Sequence, residues 1–358
     1  MDGRAKPGHD VVAEPFHPTV VRAGALADRG ESSDMRSLAA ACLVSLALYG
    51  VLFSSVLDRP LALGFLRHEI DAKLARGAAL HAPKLVILAG SNGPYSHRCE
   101  VIEPIVGMPC VNAGVAVGIG LDYLFARWRP LLHSGDVVYL PMEEAQYVTS
   151  RAANALGPDA AIMFRHDWRT LAMLPPDRWA GAFFSSDLSD GVMAVMEEIL
   201  AAIGFQDPRA AVTGTTNRWG DHVGHTLALA AANRAVLAAA VPVHATAAGV
   251  REGYGTTLIG GFVRWATARD IRVIGGLPTE FADSPMPDST LAAIRRIYLA
   301  NGGGFLELGN DSRYPRADFF DTPDHLSEPF QIIHSRAVGA ALAGMIGAPP
   351  ARIAAVTQ

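Results

Sequence analysis

Apolar residues along this chain fall into one long block and a series of short runs. The block covers residues 38–57 and contains no charged side chain. Twenty residues of helix rise about 30 Å, the thickness of the hydrocarbon core of a bilayer. Arg36 shortly precedes the block, as in the charged start of a signal peptide or signal anchor. The pattern predicts a transmembrane helix at residues 35–58, and its length favours an uncleaved anchor.

The segments on either side of the block are more polar. Residues 1–34 carry Gly, Pro and mixed charge without periodicity, which predicts a disordered tail. Alternatively, translation begins at Met35 and the tail is not made. Residues 59–83 include a mildly polar helical pattern that leads away from the membrane. We expect one further domain over residues 84–348.

Five short apolar runs divide this domain. Each is continuous rather than alternating, as in a strand that is buried on both faces of a parallel sheet. The runs cover residues 84–89, 109–112, 136–140, 271–274 and 305–308. Residues 150–260 have little strand pattern and form a helical insertion between the third and fourth runs. Strands that alternate with helices predict a three-layer α/β/α fold around a parallel sheet of about five strands.

Composition and charge narrow the possible functions. The chain has 358 residues, of which 50% are hydrophobic and 18% charged, and this excludes an intrinsically disordered protein. The net charge is −5 and the arginines are scattered singly, so nucleic-acid binding is not expected. Three cysteines cannot build a cysteine-type zinc site. We expect neither a metal nor a cofactor.

Three polar motifs follow the ends of the predicted strands. In open parallel sheets, ligands bind outside the carboxyl ends of the strands. Ser91 lies in a Gly-Ser-Asn-Gly turn after the first run, and Gly114 ends an Asn-Ala-Gly turn after the second. Segment 319–326 places His325 beside two carboxylates at the start of the last helix. Each motif alone is more often structural, but together they provide a nucleophile, a base and an acid.

In this order, the motifs resemble those of the SGNH (GDSL-like) hydrolases, from about residue 84 to residue 345. The resemblance implies that Ser91 is the nucleophile and His325 the general base. The family's acid lies three residues before the histidine, where this chain has a threonine. Asp321 and Asp324 are the alternatives. We favour Asp321, because adjacent side chains usually point apart and Asp321 can fold back across the Thr-Pro turn.

The second departure from the family concerns the oxyanion hole. The resemblance implies a glycine N–H after the second strand, which Gly114 supplies, and an asparagine after the third. Residues 141–147 contain no asparagine. Asn92 and Asn112 are the further predicted oxyanion or binding residues, and Asn217 is another substitute. Loss of one oxyanion donor slows such reactions by roughly 10²–10³-fold.

Two further pairs of polar residues attract attention. His222 and His225 lie three residues apart, a spacing that allows metal ligation on a helix. No third ligand is evident, so we expect solvated polar residues at a helix start. Glu143 and Glu144 form a carboxylate pair near the site. The plainer expectation is that one faces solvent and the other caps a helix or pairs with an arginine.

Cys99 and Cys110 lie outside the cytoplasm if the anchor prediction holds. Their compartment then permits a disulfide. Alternatively, Cys110 is a small apolar residue that fills space in a buried strand.

The resemblance implies a membrane-anchored, extracytoplasmic esterase or O-acyltransferase. Its substrate would be an acylated cell-surface glycan or a small ester, and a membrane acyltransferase is an implied partner. Its location would be the inner (cytoplasmic) membrane, with a single span and the domain facing the periplasm or the cell exterior. The two departures favour an alternative, a non-catalytic scaffold or binding protein of the same fold in a polysaccharide-modifying complex.

Overall fold

The structure is a computed structural model that describes residues 30–55, 61–185 and 215–347, with a few positions between 189 and 204. The predicted tail therefore lies outside the described residues up to residue 29, and residues 30–34 belong to the first helix. The sequence pattern of the insertion also predicts a helix over residues 192–203, and five of those twelve positions lie outside the described residues.

The described strands are short. They are β1 (Leu85–Ile87), β2 (Cys110–Asn112), β3 (Val137–Leu140), β4 (Thr215–Thr216), β5 (His222–Val223), β6 (Arg272–Gly276), β7 (Glu280–Phe281), β8 (Gly304–Leu306) and β9 (Arg313–Tyr314).

The described helices are α1 (Gly30–Ser55), α2 (Leu61–Ala79), α3 (Asn92–Ser96), α4 (Cys99–Val106), α5 (Leu121–Trp128), α6 (Glu144–Val148), α7 (Arg151–Ala155), α8 (Asp159–His166), α9 (Trp168–Met173), α10 (Pro176–Phe184), α11 (Leu227–Ala230), α12 (Arg234–Ala239), α13 (Ala247–Glu252), α14 (Tyr254–Thr267), α15 (Asp288–Ala300) and α16 (Glu328–Ile346). Short 3₁₀ turns lie at Arg129–Leu131, Ala231–Asn233 and Arg316–Asp318.

The five predicted apolar runs form one parallel sheet, in the order β2-β1-β3-β6-β8. The predicted α/β class and five-stranded parallel sheet are thus confirmed. The chain crosses from one side of β1 to the other between β2 and β3. In a sheet of this order, the crevice between β1 and β3 is the topological switch point, where ligands bind.

The strands are apolar throughout because alternate residues enter different core clusters. Val86 of β1 packs in a cluster with side chains of α2, α5 and α14, whereas its neighbours Leu85 and Ile87 pack with side chains of α4 and α16. Lys84 and Asp136, which precede β1 and β3, form a buried ion pair at 2.8 Å. Since the Lys84 N–H donates to Asp136, the ladder of β1 begins one residue later than predicted.

The insertion at 150–260 is mainly helical where it is described, with β4 and β5 pairing as a small antiparallel hairpin. The sequence pattern of the insertion also predicts one helix over 226–240, but the structure interrupts it with a 3₁₀ turn that ends at Asn233. The Asn233 amide donates to the carbonyl of Phe320 at 3.0 Å, in the segment that carries His325. Asparagine is disfavoured in helix interiors, because its side chain forms hydrogen bonds with backbone groups in other conformations.

Helix α1 is described by itself. Its stretch Asp34–Val51 is long and apolar enough to cross a membrane, and none of it is buried. This length and composition suit a single-pass anchor, and they also suit a signal sequence near the N-terminus.

Candidate active site

The turn that carries Ser91 joins β1 to α3 at the β1–β3 switch point. Its glycines are needed for close approach. A Cβ on Gly93 would lie 2.9 Å from the Cα of Gly114, and one on Gly114 would lie 2.8 Å from the carbonyl oxygen of Gly90. The Ser91 side chain is half-buried at the start of α3. Its hydroxyl forms no hydrogen bond with any residue that the structure describes.

Segment 319–326 is closed into a tight loop. Phe319 and Leu326 form an antiparallel bridge, and the N–H of Phe320 donates to the carbonyl of His325 at 2.8 Å. This closure folds Asp321 back onto the histidine, so that Asp321 Oδ1 lies 2.7 Å from His325 Nδ1. Burial disfavours the imidazolium. The hydrogen bond and charge of Asp321 nevertheless outweigh burial and raise the pKa of His325, with the charges of nearby carboxylates acting in the same direction.

Asp324 lies in the same loop, but its carboxylate forms no hydrogen bond with the imidazole of His325 among the described contacts. Its backbone carbonyl instead accepts hydrogen bonds from the hydroxyls of Ser96 at 2.7 Å and Thr279 at 2.9 Å. These bonds tie the loop to α3 and to the segment after β6. Burial raises the pKa of Asp324 to about 6, against the opposing charge of His325. The structure therefore brings Asp321 to the ring rather than Asp324.

The side chain of Glu143, directly after β3, contacts the Ser91 turn. Its Oε1 accepts a hydrogen bond from the backbone N–H of Asn92 at 3.2 Å. The whole residue Glu143 is only 6% exposed to solvent. Burial, reinforced by the charge of Asp324, raises the pKa of Glu143 to about 7, although backbone N–H groups and His325 oppose the shift.

The simple expectation for the two glutamates is confirmed in one part, since Glu143 is the N-cap of α6 and forms a capping box with Gln146, but the expected exposure of the other is wrong. Neither Glu143 nor Glu144 faces solvent, and no described arginine pairs with either. Glu144 accepts hydrogen bonds from His244 Nδ1 at 2.8 Å and from the N–H of Ala245 at 2.6 Å. Both glutamates are buried because they satisfy backbone groups from distant parts of the chain.

The predicted oxyanion and binding residues gather around the Ser91 turn. The N–H of Gly114 lies 3.3 Å from Asn112 Oδ1. The amide groups of Asn92, Asn112 and Asn217 all donate hydrogen bonds, respectively to Pro141, to Asp221 among others, and to Asp221. Asn92 and Asn112 brace the turn, since Asn92 bonds to Pro141 and Asn112 to the carbonyl of Gly93, whereas Asn217 bonds to Asp221. The amide of Asn112 has acceptors for both of its N–H groups, whereas Asn92 and Asn217 each donate one described hydrogen bond from an amide that has two N–H groups.

A buried lysine supports the Gly114 turn from α2. Lys73 donates to the carbonyl oxygen of Gly114 and pairs with Glu69 at 2.6 Å. The bond fixes the peptide that follows the predicted oxyanion donor.

An aromatic cluster surrounds His325. The ring of Tyr95 stacks on His325 at 4.1 Å and on His222 at 4.3 Å, and His225 meets it edge-on at 5.3 Å. The expectation of solvated histidines at a helix start is therefore wrong, because both are buried against the site. Burial lowers the pKa of His222 to about 3 and that of His225 to about 4, so both are neutral.

One group of side chains has the composition of a metal site. Ligand atoms of Glu144, His244 and Glu280 all lie within 4.8 Å of one another. These atoms are already paired, since His244 bonds to Glu144 through one nitrogen and to Ser284 through the other, and Arg313 pairs with Glu280. The group is a polar network that requires no ion.

Of the two readings for Cys99 and Cys110, the structure has the disulfide, with the Cα atoms 5.4 Å apart. The bond joins the start of α4 to the start of β2. Asp221 reinforces this junction by accepting the N–H of Cys99 at 2.8 Å.

Comparison of the chain with models of protein families, with curated proteins and with solved structures finds no match.

Proposed function

We propose that this protein is an SGNH-like serine esterase or O-acyltransferase. The observation that carries the proposal is the Asp321–His325 pair, which stands at the same edge of the sheet as the glycine-bounded turn of Ser91. A serine beside a histidine that a carboxylate orients is the arrangement used for acyl transfer on unrelated folds.

In the proposed reaction, Ser91 Oγ attacks the acyl carbonyl and His325 Nε2 takes the hydroxyl proton. The oxyanion that forms is stabilised by the N–H groups of Ser91 and Gly114, for which it replaces the present acceptors, the Glu143 carboxyl group and Asn112 Oδ1. Collapse expels the alcohol, which receives the proton from His325 and leaves an acyl group on Ser91. Water or an acceptor hydroxyl then attacks this ester by the same steps, giving hydrolysis or transfer.

The bonding of His325 supports its role as the base. Nδ1 is held by Asp321, which fixes the tautomer that leaves Nε2 as the acceptor. Nε2 has no hydrogen-bond partner among the described residues and is not sealed in the interior. It is therefore free to receive a proton from a nucleophile.

One observation favours the alternative of a non-catalytic scaffold or binding protein. No hydrogen bond joins Ser91 to His325. Catalytic hydrogen bonds are often long or misaligned until a substrate is bound, so we retain the enzyme as the first candidate.

We also propose a three-layer architecture and an extracytoplasmic, single-pass location. The two core clusters formed by alternate strand residues support the layers. Helix α1 supports the anchor, and the Cys99–Cys110 disulfide is typical of an oxidising compartment. By analogy with the resembled family, the substrate would be an acylated cell-surface glycan or a small ester, with a membrane acyltransferase as partner.

The test is labelling with a fluorophosphonate probe, followed by peptide mapping. We expect phosphonylation of Ser91, its absence in Ser91→Ala, and strong slowing in His325→Ala. The exposed His81 supplies a matched control, since His81→Ala should label like the unaltered protein. A folded protein in which Ser91 is never modified would favour the scaffold.

A further inference from the structure

The segment after β3 lacks the asparagine that the resembled family has there, and Glu143 lies in this segment. The resembled family places an oxyanion asparagine at this point, and here a glutamate side chain contacts the Ser91 turn. Strand β3 lies beside β1 in the sheet, so the two strand ends present Glu143 and Ser91 to the same crevice.

The partners of the Glu143 carboxyl group are backbone N–H groups. Oε1 accepts from Asn92 at 3.2 Å, and the N–H of Ser91 also acts on the carboxyl group. A second contact is steric, because a Cβ on Gly90 would collide with the carboxyl group. The group is thus wedged against the turn that carries the predicted nucleophile.

The described part of the chain provides no lysine or arginine as a counter-ion for this buried carboxyl group. The ionisable groups that face it are Asp324 and His325, and the Asp321 carboxylate already holds the histidine. A buried carboxyl group without a cation, beside another carboxylate, favours its neutral acid form.

A neutral carboxylic acid has one O–H to donate. The described hydrogen bonds of the Glu143 side chain, including the one from the N–H of Gln146 in the capping box, use it only as an acceptor, so that donor has no partner among the described residues. We propose, on the basis of the proposed function, that Glu143 replaces the missing asparagine as an oxyanion donor. Its O–H donates a hydrogen bond to the carbonyl oxygen of the acyl group. The proton stays on Glu143 throughout, and the bond strengthens as the carbonyl oxygen gains charge.

The inference predicts an alkaline limit to the activity. Glu143 must be protonated to donate, and its pKa is raised to about 7. His325 must be neutral to act as a base, and ionised Glu143 contributes to the raised pKa of His325. Activity should therefore pass through a maximum near neutral pH, falling on the acid side with His325 and on the alkaline side with Glu143.

The experiment compares pH profiles of kcat/KM for hydrolysis of p-nitrophenyl acetate. In Glu143→Gln the amide N–H replaces the acid O–H, so we expect activity within about 10-fold of the unaltered protein, since the donor remains. The alkaline limb should disappear, whereas the acid limb should remain, because Glu143 is already neutral on that side and a neutral glutamine leaves the charge around His325 unchanged. Glu143→Ala should lose roughly 10²–10³-fold at every pH. Glu144→Gln, which changes the adjacent buried glutamate, should keep both limbs.

Three results would overturn the inference: an unaltered protein without an alkaline limb, an alkaline limb that persists in Glu143→Gln, or full activity in Glu143→Ala. Infrared spectroscopy of the unaltered protein adds a readout that needs no variant activity. A neutral carboxyl band should titrate near pH 7 and be missing from Glu143→Gln, and its absence from the unaltered protein would also count against the inference. Fluorophosphonate labelling separates the two proposals: unlabelled Ser91 refutes the proposed function, whereas labelled Ser91 with these contrary results refutes only the role of Glu143.

Discussion

Replacement of Asp321 by asparagine tests how the histidine is activated. The change keeps the shape of the side chain but removes its charge, and it allows the amide to donate where the carboxylate accepts. At the 2.7 Å separation from His325 Nδ1, an effective dielectric constant of about 20 gives roughly 6 kcal/mol of attraction for the imidazolium. Because the Asp321 side chain is 32% exposed, solvent screens part of this energy and the figure is an upper bound.

A loss of about 10⁴-fold in rate corresponds to about 5 kcal/mol, and the same replacement in a Ser-His-Asp protease has an effect of that size. With screening, we expect Asp321→Asn to slow fluorophosphonate labelling of Ser91 by roughly 10²–10⁴-fold. The acid limb of the pH profile should move to lower pH, because the carboxylate that raises the pKa of His325 is gone.

Asp324→Asn is the matched control, since it removes the neighbouring carboxylate that forms no hydrogen bond with the ring. We expect less than about 10-fold slowing, as for a charge that acts only through space. If Asp324→Asn were as damaging as Asp321→Asn, or more so, the assignment of the acid would be refuted.

The same pair makes a prediction about stability. The folded-state pKa of His325 is raised above its unfolded value of about 6.5. The contribution of the pair to the free energy of unfolding is therefore fully present below the unfolded pKa, and it is lost as the pH rises through the folded pKa. Denaturant unfolding should show that Asp321→Asn destabilises the protein more at pH 6 than at pH 9. An equal loss at both values would contradict the charged pairing.

The remaining predictions concern the scaffold of the site. Replacing both Cys99 and Cys110 by alanine should lower the free energy of unfolding by roughly 3 kcal/mol, as expected for a disulfide that closes a loop of this length. Denaturant titration would measure the loss, with Cys42→Ser as a control that leaves the disulfide intact. Gly114→Ala should slow Ser91 labelling at least about 10-fold, because the new Cβ would press on the Gly90 carbonyl and displace the oxyanion turn. Gly309→Ala, where nothing lies within 4 Å of the added carbon, should label normally, and equal rates for the two variants would contradict the packing argument.

The five short apolar runs were sufficient to predict the sheet. A strand buried on both faces needs only apolar residues, and each of the five runs has them whatever its neighbours are. The end of a strand then locates the following turn, and for this reason Ser91 and Gly114 could be placed at one edge. Asp321 could be preferred over Asp324 because the geometry of adjacent residues is a local property.

The surroundings of these residues could not be predicted, because they depend on contacts between distant segments. Tyr95 contacts His222 and His325 only because the insertion folds back onto α3. No periodicity in the sequence indicates that a histidine is buried. In the same way, the burial of Glu143 depends on the pairing of β3 with β1, which the local sequence does not show. Polar residues are usually exposed, so their burial at a site is visible only in three dimensions.

If Ser91 accepts an acyl group from the substrate, that group can be detected on the protein during turnover. The protein is mixed with p-nitrophenyl acetate, quenched in acid during turnover, and analysed by peptide mass spectrometry. We expect acetyl-Ser91 in the unaltered protein, much less of it in Asp321→Asn, and none at position 91 in Ser91→Ala. Release of p-nitrophenol at the same rate in Ser91→Ala, with no acetyl group on Ser91 of the unaltered protein, would contradict the role of Ser91 as the nucleophile.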